Sequence, residues 1–365
     1  MLYQRILLGS LMIAALVGLM VLDVWLSADM PNRPGLCPRL PAGAAAYLWG
    51  LPTVAVAALL AVLATLEFGS LLRGAGHEPA VSWAAIIVAG LIVLPWVEQY
   101  RSLQCRPPAR AAPPQTWAPP RPGSPASAPA ATRRLFSPLS DFTEDTLAMR
   151  RTYAQQLEVL RPVSLVWLMG GVVGTCLLVL ARRKTAGAIA AMATTLLMIV
   201  FVGLLGSFLV RIRCLAPGPA GAVLVAYTVL AIKACDIGAY LFGRVFGRTL
   251  LAPWLSPAKT VEGFLAGLVL ACLVATGGMI AWGAWGAARL GPPPLSAAQA
   301  LVFGVFMAVL GHLGDLTESA FKRDLSVKDS GRVVPSFGGF LDILDSPLFA
   351  APIAWWLLAV FGRWM

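Results

Sequence analysis

Acidic, hydroxyl and basic side chains recur along one stretch near the C-terminus, directly after an apolar run that begins near Ala300. The residues are Asp315, Glu318, Ser319, Lys322 and Arg323. Spacings of three and four place them along one stripe of an α-helix. Ionisable side chains at the end of a membrane helix usually face a bundle interior or a polar cavity rather than lipid. Carboxylates followed by cations suit a site that binds a divalent metal ion together with a polyphosphate.

A pair of acids opens the last apolar run of the chain. Asp342 and Asp345 are three residues apart, so a helix projects both carboxylates from one face. Such carboxylates repel each other unless a cation lies between them. Gly338 and Gly339 precede them and let the backbone approach a ligand at the positive end of a helix. Alternatively, Asp342 could cap the helix dipole as part of a solvated run of charges. Because acids and bases recur at three helix ends on one membrane face, a functional site is favoured.

A third polar stretch begins near the C-terminal end of the apolar run 219–240 and continues into the loop that follows it. Asp236 is predicted about one turn inside the membrane end, where an unpaired charge is costly. Lys233, three residues earlier, could neutralise it, so a structural ion pair and a functional role both remain open. The loop after this run carries polar side chains at a predicted helix start, namely Ser256, Lys259, Thr260 and Glu262. Hydroxyls, an ammonium group and free backbone N–H groups at a helix start are typical of phosphate binding.

The composition indicates that membrane-spanning helices position these polar residues. Of the 365 residues, 58% are hydrophobic and 12% are charged, which excludes an ordinary soluble domain and indicates a polytopic membrane protein. Windows of about 20 apolar residues can cross a bilayer. They occur at 5–27, 43–66, 81–97, 163–181, 186–209, 219–240, 263–284, 299–316 and 340–361. The prediction is therefore an all-α, polytopic integral membrane bundle of about nine transmembrane helices.

The chain is predicted to have three parts. Residues 1–97 hold the N-terminal transmembrane helices, and residues 163–365 form the transmembrane region that carries the polar stretches. Residues 98–162 form a loop rich in proline and arginine, because nine prolines between Pro107 and Pro129 cannot belong to a packed core. A helix at the end of this loop either lies on the membrane surface or is a solvated linker helix.

Charge and topology narrow the class of partner. A net charge of +11 fits an anionic partner, and we expect membrane lipids and nucleotide phosphates rather than nucleic acid, since no nucleic-acid-binding motif is found. Each span reverses the side of the membrane, so the three polar stretches fall on one face. Basic loop residues indicate by the positive-inside rule that this face is cytoplasmic. Against this, the opposite face receives nine arginines from residues 98–162 and two more at Arg211 and Arg213. Loops longer than about 60 residues largely escape the rule, which reduces this conflict without removing it.

The polar stretches resemble the phosphatidate cytidylyltransferases, also called CDP-diacylglycerol synthases, which are membrane enzymes that join CTP to phosphatidate. The likeness covers roughly residues 220–350, from Asp236 to the pair of acids at 342 and 345, whereas the first half matches only in hydropathy. The resemblance implies a helical bundle with a polar funnel that faces the cytoplasm in a bacterial-type inner membrane. It implies CTP, phosphatidate and membrane lipids as partners and Mg²⁺ as cofactor, and it leaves a second cation and a homodimer open.

The resemblance also implies roles for individual residues. Asp315, Asp342 and Asp345 would bind the metal ion and act in catalysis together with Lys328 and Asp329. Asp329 would position either Lys328 or a metal-bound water, and the two alternatives stay open. The substrate-binding residues would be Asp236, Ser256, Lys259, Thr260, Glu262, Ser319, Lys322, Arg323, Gly338 and Gly339. The implied reaction is in-line attack of the phosphatidate phosphate on the α-phosphorus of CTP, assisted by metal.

Two positions depart from the family pattern. Phe337 stands where the family has histidine, and Ile343 stands where it has arginine. The attacking phosphate is already anionic and needs no general base, so the reaction could tolerate the loss of the imidazole. The loss of two phosphate ligands could instead lower activity or change the lipid or nucleotide that is accepted, and Arg332 could supply the lost positive charge. The alternatives are a catalytically impaired relative that acts as a lipid-binding scaffold, a CTP-dependent lipid kinase, and a transporter. Retention of the acids argues against the first, and transport predicts internal repeats that the sequence lacks.

Overall fold

The structure is a computed structural model. It describes Gly18, Leu22, Asp23 and residues 50–104, 162–216, 218–327, 330 and 339–362. Within these ranges the chain is a helical bundle, and eight helices are long and apolar enough to cross a membrane. The predicted all-α, multi-pass membrane fold is thus confirmed. The first predicted span lies outside the described residues except for Gly18, Leu22 and Asp23, as do the proline-rich segment and the helix predicted after it.

The helices have the following bounds. They are α1 (Leu51–Gly74), α2 (Val81–Gln104), α3 (Pro162–Ala181), α4 (Ala188–Met198, a π-helical turn Ile199–Leu204, then Leu205–Arg213), α5 (Gly218–Phe246), α6 (Val261–Ala281, a π-helical turn Trp282–Gly286, then Ala287–Leu290), α7 (Ala297–Asp324) and α8 (Phe340–Phe361). Each matches one of the last eight predicted windows. Several helices extend past their windows, because helical hydrogen bonding continues into the polar residues that end an apolar run.

Helix α8 is the centre of the bundle. Its residues belong both to the apolar cluster formed with α1, α2 and α4 and to the cluster formed with α5, α6 and α7. In its most apolar window 56% of the residues are buried, as in α5, against 22% in α3, which lies at the periphery. The helix that opens with Asp342 and Asp345 is therefore held on several sides.

A short hairpin connects α5 to α6, where the sequence predicts only a loop. Strands β1 (Leu250–Ala252) and β2 (Ser256–Thr260) pair antiparallel. The predicted helix start near Glu262 is confirmed, since α6 begins at Val261. Thr260 is its N-cap residue, with its side-chain oxygen accepting a hydrogen bond from the Gly263 N–H at 3.2 Å. The hairpin therefore enters α6 in a defined direction.

A buried ion pair ties the described part of the first predicted span to the bundle. Arg213 Nε lies 2.8 Å from Asp23 Oδ2, and both side chains are almost inaccessible. The Gly50 N–H and the Thr53 hydroxyl also donate to this carboxylate. Arg213 is thus bonded inside the bundle rather than exposed in a loop, and removing either partner would leave an uncompensated buried charge.

Candidate active site

Three carboxylates from two helices converge at one end of the bundle. Asp315 and Glu318 on α7 and Asp345 on α8 each offer an oxygen atom, and these atoms lie within 4.8 Å of one another. Glu318 is 1% exposed and Asp345 is 3% exposed. Glu318 Oε1 has no hydrogen-bond partner among the described residues. Because oxygen atoms are the ligands that Mg²⁺ prefers, this donor set fits a hard divalent cation. We call these residues the three-acid group.

Close packing of α7 on α8 creates the three-acid group. Gly314, next to Asp315, faces the backbone of α8. A Cβ atom on Gly314 would lie 2.7 Å from the Asp345 carbonyl oxygen and 2.8 Å from Phe349 Cβ. No larger residue fits without separating the helices, so Gly314 allows acids of both helices to meet.

Two lysines lie against the carboxylates. Lys259 Nζ, at the end of the hairpin, is 2.8 Å from Asp315 Oδ2. Lys322 Nζ is 2.8 Å from Glu318 Oε2 and 2.7 Å from Asp342 Oδ1. Both lysine side chains are mostly buried. The site therefore holds ammonium groups within reach of any phosphate that binds beside the acids.

Asp342 and Asp345 lie in different surroundings, although the sequence places them on one helical face. Asp342 Oδ2 accepts hydrogen bonds from the Gly339 N–H at 2.8 Å and from the Ser330 hydroxyl at 2.7 Å, and Lys322 contacts its other oxygen. Asp342 therefore lies outside the three-acid group. Glu318, which belongs to the stripe on α7 but is not among the predicted metal ligands, is the third member instead.

The structure contains the ion pair that the sequence left open at Asp236. Lys233 Nζ is 3.0 Å from Asp236 Oδ2, one turn apart on α5. Asp236 thus has an ion-pair partner, and its predicted role in substrate binding stays a prediction.

Other predicted substrate-binding residues hold the hairpin in place. Glu262 accepts hydrogen bonds from the backbone N–H groups of Arg248 and Thr249, each at 3.1 Å. Arg323, exposed at the end of α7, donates from Nε to the Leu255 carbonyl oxygen at 3.3 Å. These contacts keep β2, and with it Lys259, against α7.

The remaining predicted residues fall into two sets. Ser256 and Ser319 are half-buried, on β2 and α7. Lys328, Asp329 and Gly338 lie outside the described residues, so their predicted roles stay predictions.

Sequence reasoning missed one acid beside the site. Glu67 lies on α1 and is 9% exposed. Its carboxylate accepts a hydrogen bond from the Phe340 N–H at 2.6 Å, and Glu67 Oε1 lies 2.5 Å from Ser330 Oγ, which has one proton to share between Glu67 and Asp342. The signal that could have found it is its own position, since an acid inside an apolar span usually has a function or a partner.

Comparison with known proteins defines the class. The model of the cytidylyltransferase family matches residues 132–361, which is more than half of the chain. This protein therefore belongs to the cytidylyltransferase family. The match includes the hairpin and every member of the three-acid group, whereas α1 and α2 precede it.

Individual relatives agree with this assignment. The phosphatidate cytidylyltransferase of Bacillus subtilis (strain 168) is 39% identical over 163 residues, which are 45% of this chain and 56% of the relative. That of Synechocystis sp. is 41% identical over 142 residues, which are 39% of this chain and 45% of the relative. Uncharacterized protein YnbB of Escherichia coli (strain K12) is 38% identical over 140 residues, 38% of this chain and 43% of the relative. The chain spans about half the length of the curated relatives it matches.

Proposed function

We propose that this protein transfers the cytidylyl group of CTP to phosphatidate. An oxygen of the phosphatidate phosphate attacks the α-phosphorus of CTP in line, the bond to the β-phosphate oxygen breaks, and CDP-diacylglycerol and pyrophosphate are released. The observation that carries the proposal is the three-acid group with a lysine on each side, inside the region that matches the family. Relatives named phosphatidate cytidylyltransferase support the choice of substrates.

Mg²⁺ fits the three-acid group, and Asp315, Glu318 and Asp345 would hold it. When bound, the ion neutralises charge on the phosphates and on the leaving pyrophosphate.

The lysines and Arg323 bind the phosphates of CTP. Lys259 and Lys322 approach the three-acid group from the hairpin and from α7, so a triphosphate beside the acids contacts both. Asp342 contacts Lys322 at 2.7 Å and orients it, and its predicted role as a metal ligand stays a prediction. The attacking phosphate is anionic at neutral pH, so neither the missing histidine nor a general base is needed.

We place the site at the cytoplasmic face of a bacterial-type inner membrane. Support comes from the grouping of Lys259, Asp315 and Asp342 at one end of the bundle and from the basic loops that the positive-inside rule assigns to the cytoplasm. CTP would enter from water, and the acyl chains of phosphatidate would remain in the adjacent leaflet.

Two labels on CTP test the proposed function. Purified protein in detergent receives phosphatidate, Mg²⁺ and CTP labelled with ³²P at either the α- or the γ-position. We expect the α-label to enter lipid and the γ-label to appear in pyrophosphate. A γ-label in lipid would show a CTP-dependent kinase. Nucleotide binding without label in lipid from either position would show a scaffold, and both results contradict the proposal.

A further inference from the structure

We infer that Glu67, on a helix outside the family match, is a positioning residue for CTP binding. It acts through Ser330 and Asp342 on Lys322. The inference rests on the proposed function, in which Lys322 binds a phosphate of CTP. It would make α1 a working part of the site rather than only a membrane span.

Glu67 caps the first turn of α8 from another helix. The first N–H groups of a helix lack partners within the helix, and the helix dipole favours a negative charge there. Glu67 Oε2 accepts the Phe340 N–H at 2.6 Å, while Asp342 Oδ2 accepts the Gly339 N–H at 2.8 Å. The two carboxylates thus share the start of α8.

The Glu67 carboxylate occupies space that only a glycine at position 339 leaves open. A Cβ atom on Gly339 would overlap Glu67 Oε1 and crowd the Ser330 hydroxyl. Glycine at this position lets a carboxylate from α1 reach the backbone of α8. The backbone at Gly339 needs no left-handed conformation, so close approach is the reason for glycine here.

A chain of contacts leads from Glu67 to the three-acid group. Ser330 Oγ lies 2.5 Å from Glu67 Oε1 and 2.7 Å from Asp342 Oδ2. Asp342 Oδ1 lies 2.7 Å from Lys322 Nζ, which contacts Glu318 at 2.8 Å. Each member is buried or mostly buried, so water does not readily replace a lost contact.

Loss of Glu67 should therefore change where the Lys322 ammonium lies. Without it, the Phe340 N–H loses its acceptor and Ser330 loses one of its two carboxylate neighbours, so the first turn of α8, which carries Asp342, is held less firmly. Lys322 would then be drawn to Glu318 alone, the acid that the metal requires. The expected consequence is weaker binding of CTP, not only lower stability.

The experiment compares three variants with the wild type. Glu67→Ala removes the carboxylate, and Glu67→Gln keeps an oxygen that accepts the Phe340 N–H. Glu98→Ala is the matched control, because Glu98 is 5% exposed and accepts hydrogen bonds from the Ser164 N–H and hydroxyl between α2 and α3. The readouts are equilibrium binding of labelled CTP with Mg²⁺ in detergent, without phosphatidate, and the melting temperature.

We expect Glu67→Ala to weaken CTP binding about tenfold or more, the effect of one hydrogen bond to a charged group. Glu67→Gln should stay within about threefold of the wild type, since it keeps the cap. Glu98→Ala should lower the melting temperature and leave CTP affinity unchanged. Equal CTP affinity in Glu67→Ala and the wild type overturns the inference, as does an equal loss of affinity in Glu98→Ala.

Ser330→Ala gives a second test, which stands even if Glu67→Ala does not fold. It should weaken CTP binding, because Ser330 links Glu67 to Asp342. Unchanged affinity in Ser330→Ala overturns the inference. Wild-type protein that binds CTP but labels no lipid defeats only the proposed function, whereas wild-type protein that binds no CTP defeats both.

Discussion

Asp345→Asn should lower cytidylyl transfer on the order of 10²- to 10³-fold, the scale of losing electrostatic stabilisation at a reacting phosphate. Asparagine keeps the oxygen that accepts the Ser346 N–H, so the fold should persist. It removes one of three charges that would hold the metal ion. Initial rates of α-label transfer into lipid, measured at several Mg²⁺ concentrations, check this expectation.

Glu98→Gln is the control for that variant, since it neutralises a buried acid bonded to Ser164 away from the site. It should retain near-wild-type transfer. Full activity in Asp345→Asn would show that Asp345 does not hold the metal ion. An equal loss in Glu98→Gln would attribute the effect to buried charge in general.

Gly314→Ala should lower transfer about 10²-fold, because misplacing reacting groups by about 1 Å has that effect. The new methyl group would meet the Asp345 carbonyl oxygen at 2.7 Å and Phe349 Cβ at 2.8 Å, so α7 and α8 must separate beside Asp315. Overpacking of this kind also costs about 1–3 kcal/mol of stability. Transfer rates and the melting temperature in the same detergent measure both effects.

Gly277→Ala is its counterpart within α6. No described atom outside its own helix lies within 4 Å of a Cβ at Gly277. Alanine also favours helix over glycine by about 1 kcal/mol, so this variant should be as active as the wild type. If Gly314→Ala matched it in activity, the close contact of α7 and α8 would not govern the site.

Much of the helical framework is predictable from the sequence, because a helix that crosses a membrane needs about 20 consecutive apolar residues and so leaves a long hydropathy signal. The last eight windows each correspond to a helix, and the helix start beside Glu262 is confirmed. Helix α1 differs most from its window: 43–66 was predicted, whereas the helix runs over Leu51–Gly74. Hydropathy falls at Glu67 and Arg73, but the backbone hydrogen bonds continue through them. The hairpin was missed because strands of three and five residues carry almost no periodic signal.

Local spacing predicted the direction of side chains better than their partners. The stripe of Asp315, Glu318 and Lys322 follows from helical periodicity alone. Asp342 and Asp345 share a face of α8, but Lys322 lies against the first and the three-acid group contains the second. These contacts depend on how α7 packs against α8, and the spacing of residues along α8 does not reveal that packing.

Glu67 shows the limit of local reasoning most clearly. Its partners Ser330 and Phe340 are 263 and 273 residues away along the chain. A pattern within α1 indicates only that an acid in an apolar span needs an explanation. Which donor it finds depends on the packing of the whole bundle around α8.

The central claim is that the three-acid group holds the divalent ion that contacts the nucleotide. The direct measurement is an anomalous-difference map from crystals soaked with Mn²⁺ and a non-hydrolysable CTP analogue. We predict one strong peak between the carboxylates of Asp315, Glu318 and Asp345, with nucleotide phosphates beside Lys259 and Lys322. Nucleotide and Mn²⁺ bound together elsewhere, with no peak among these carboxylates, would contradict the account.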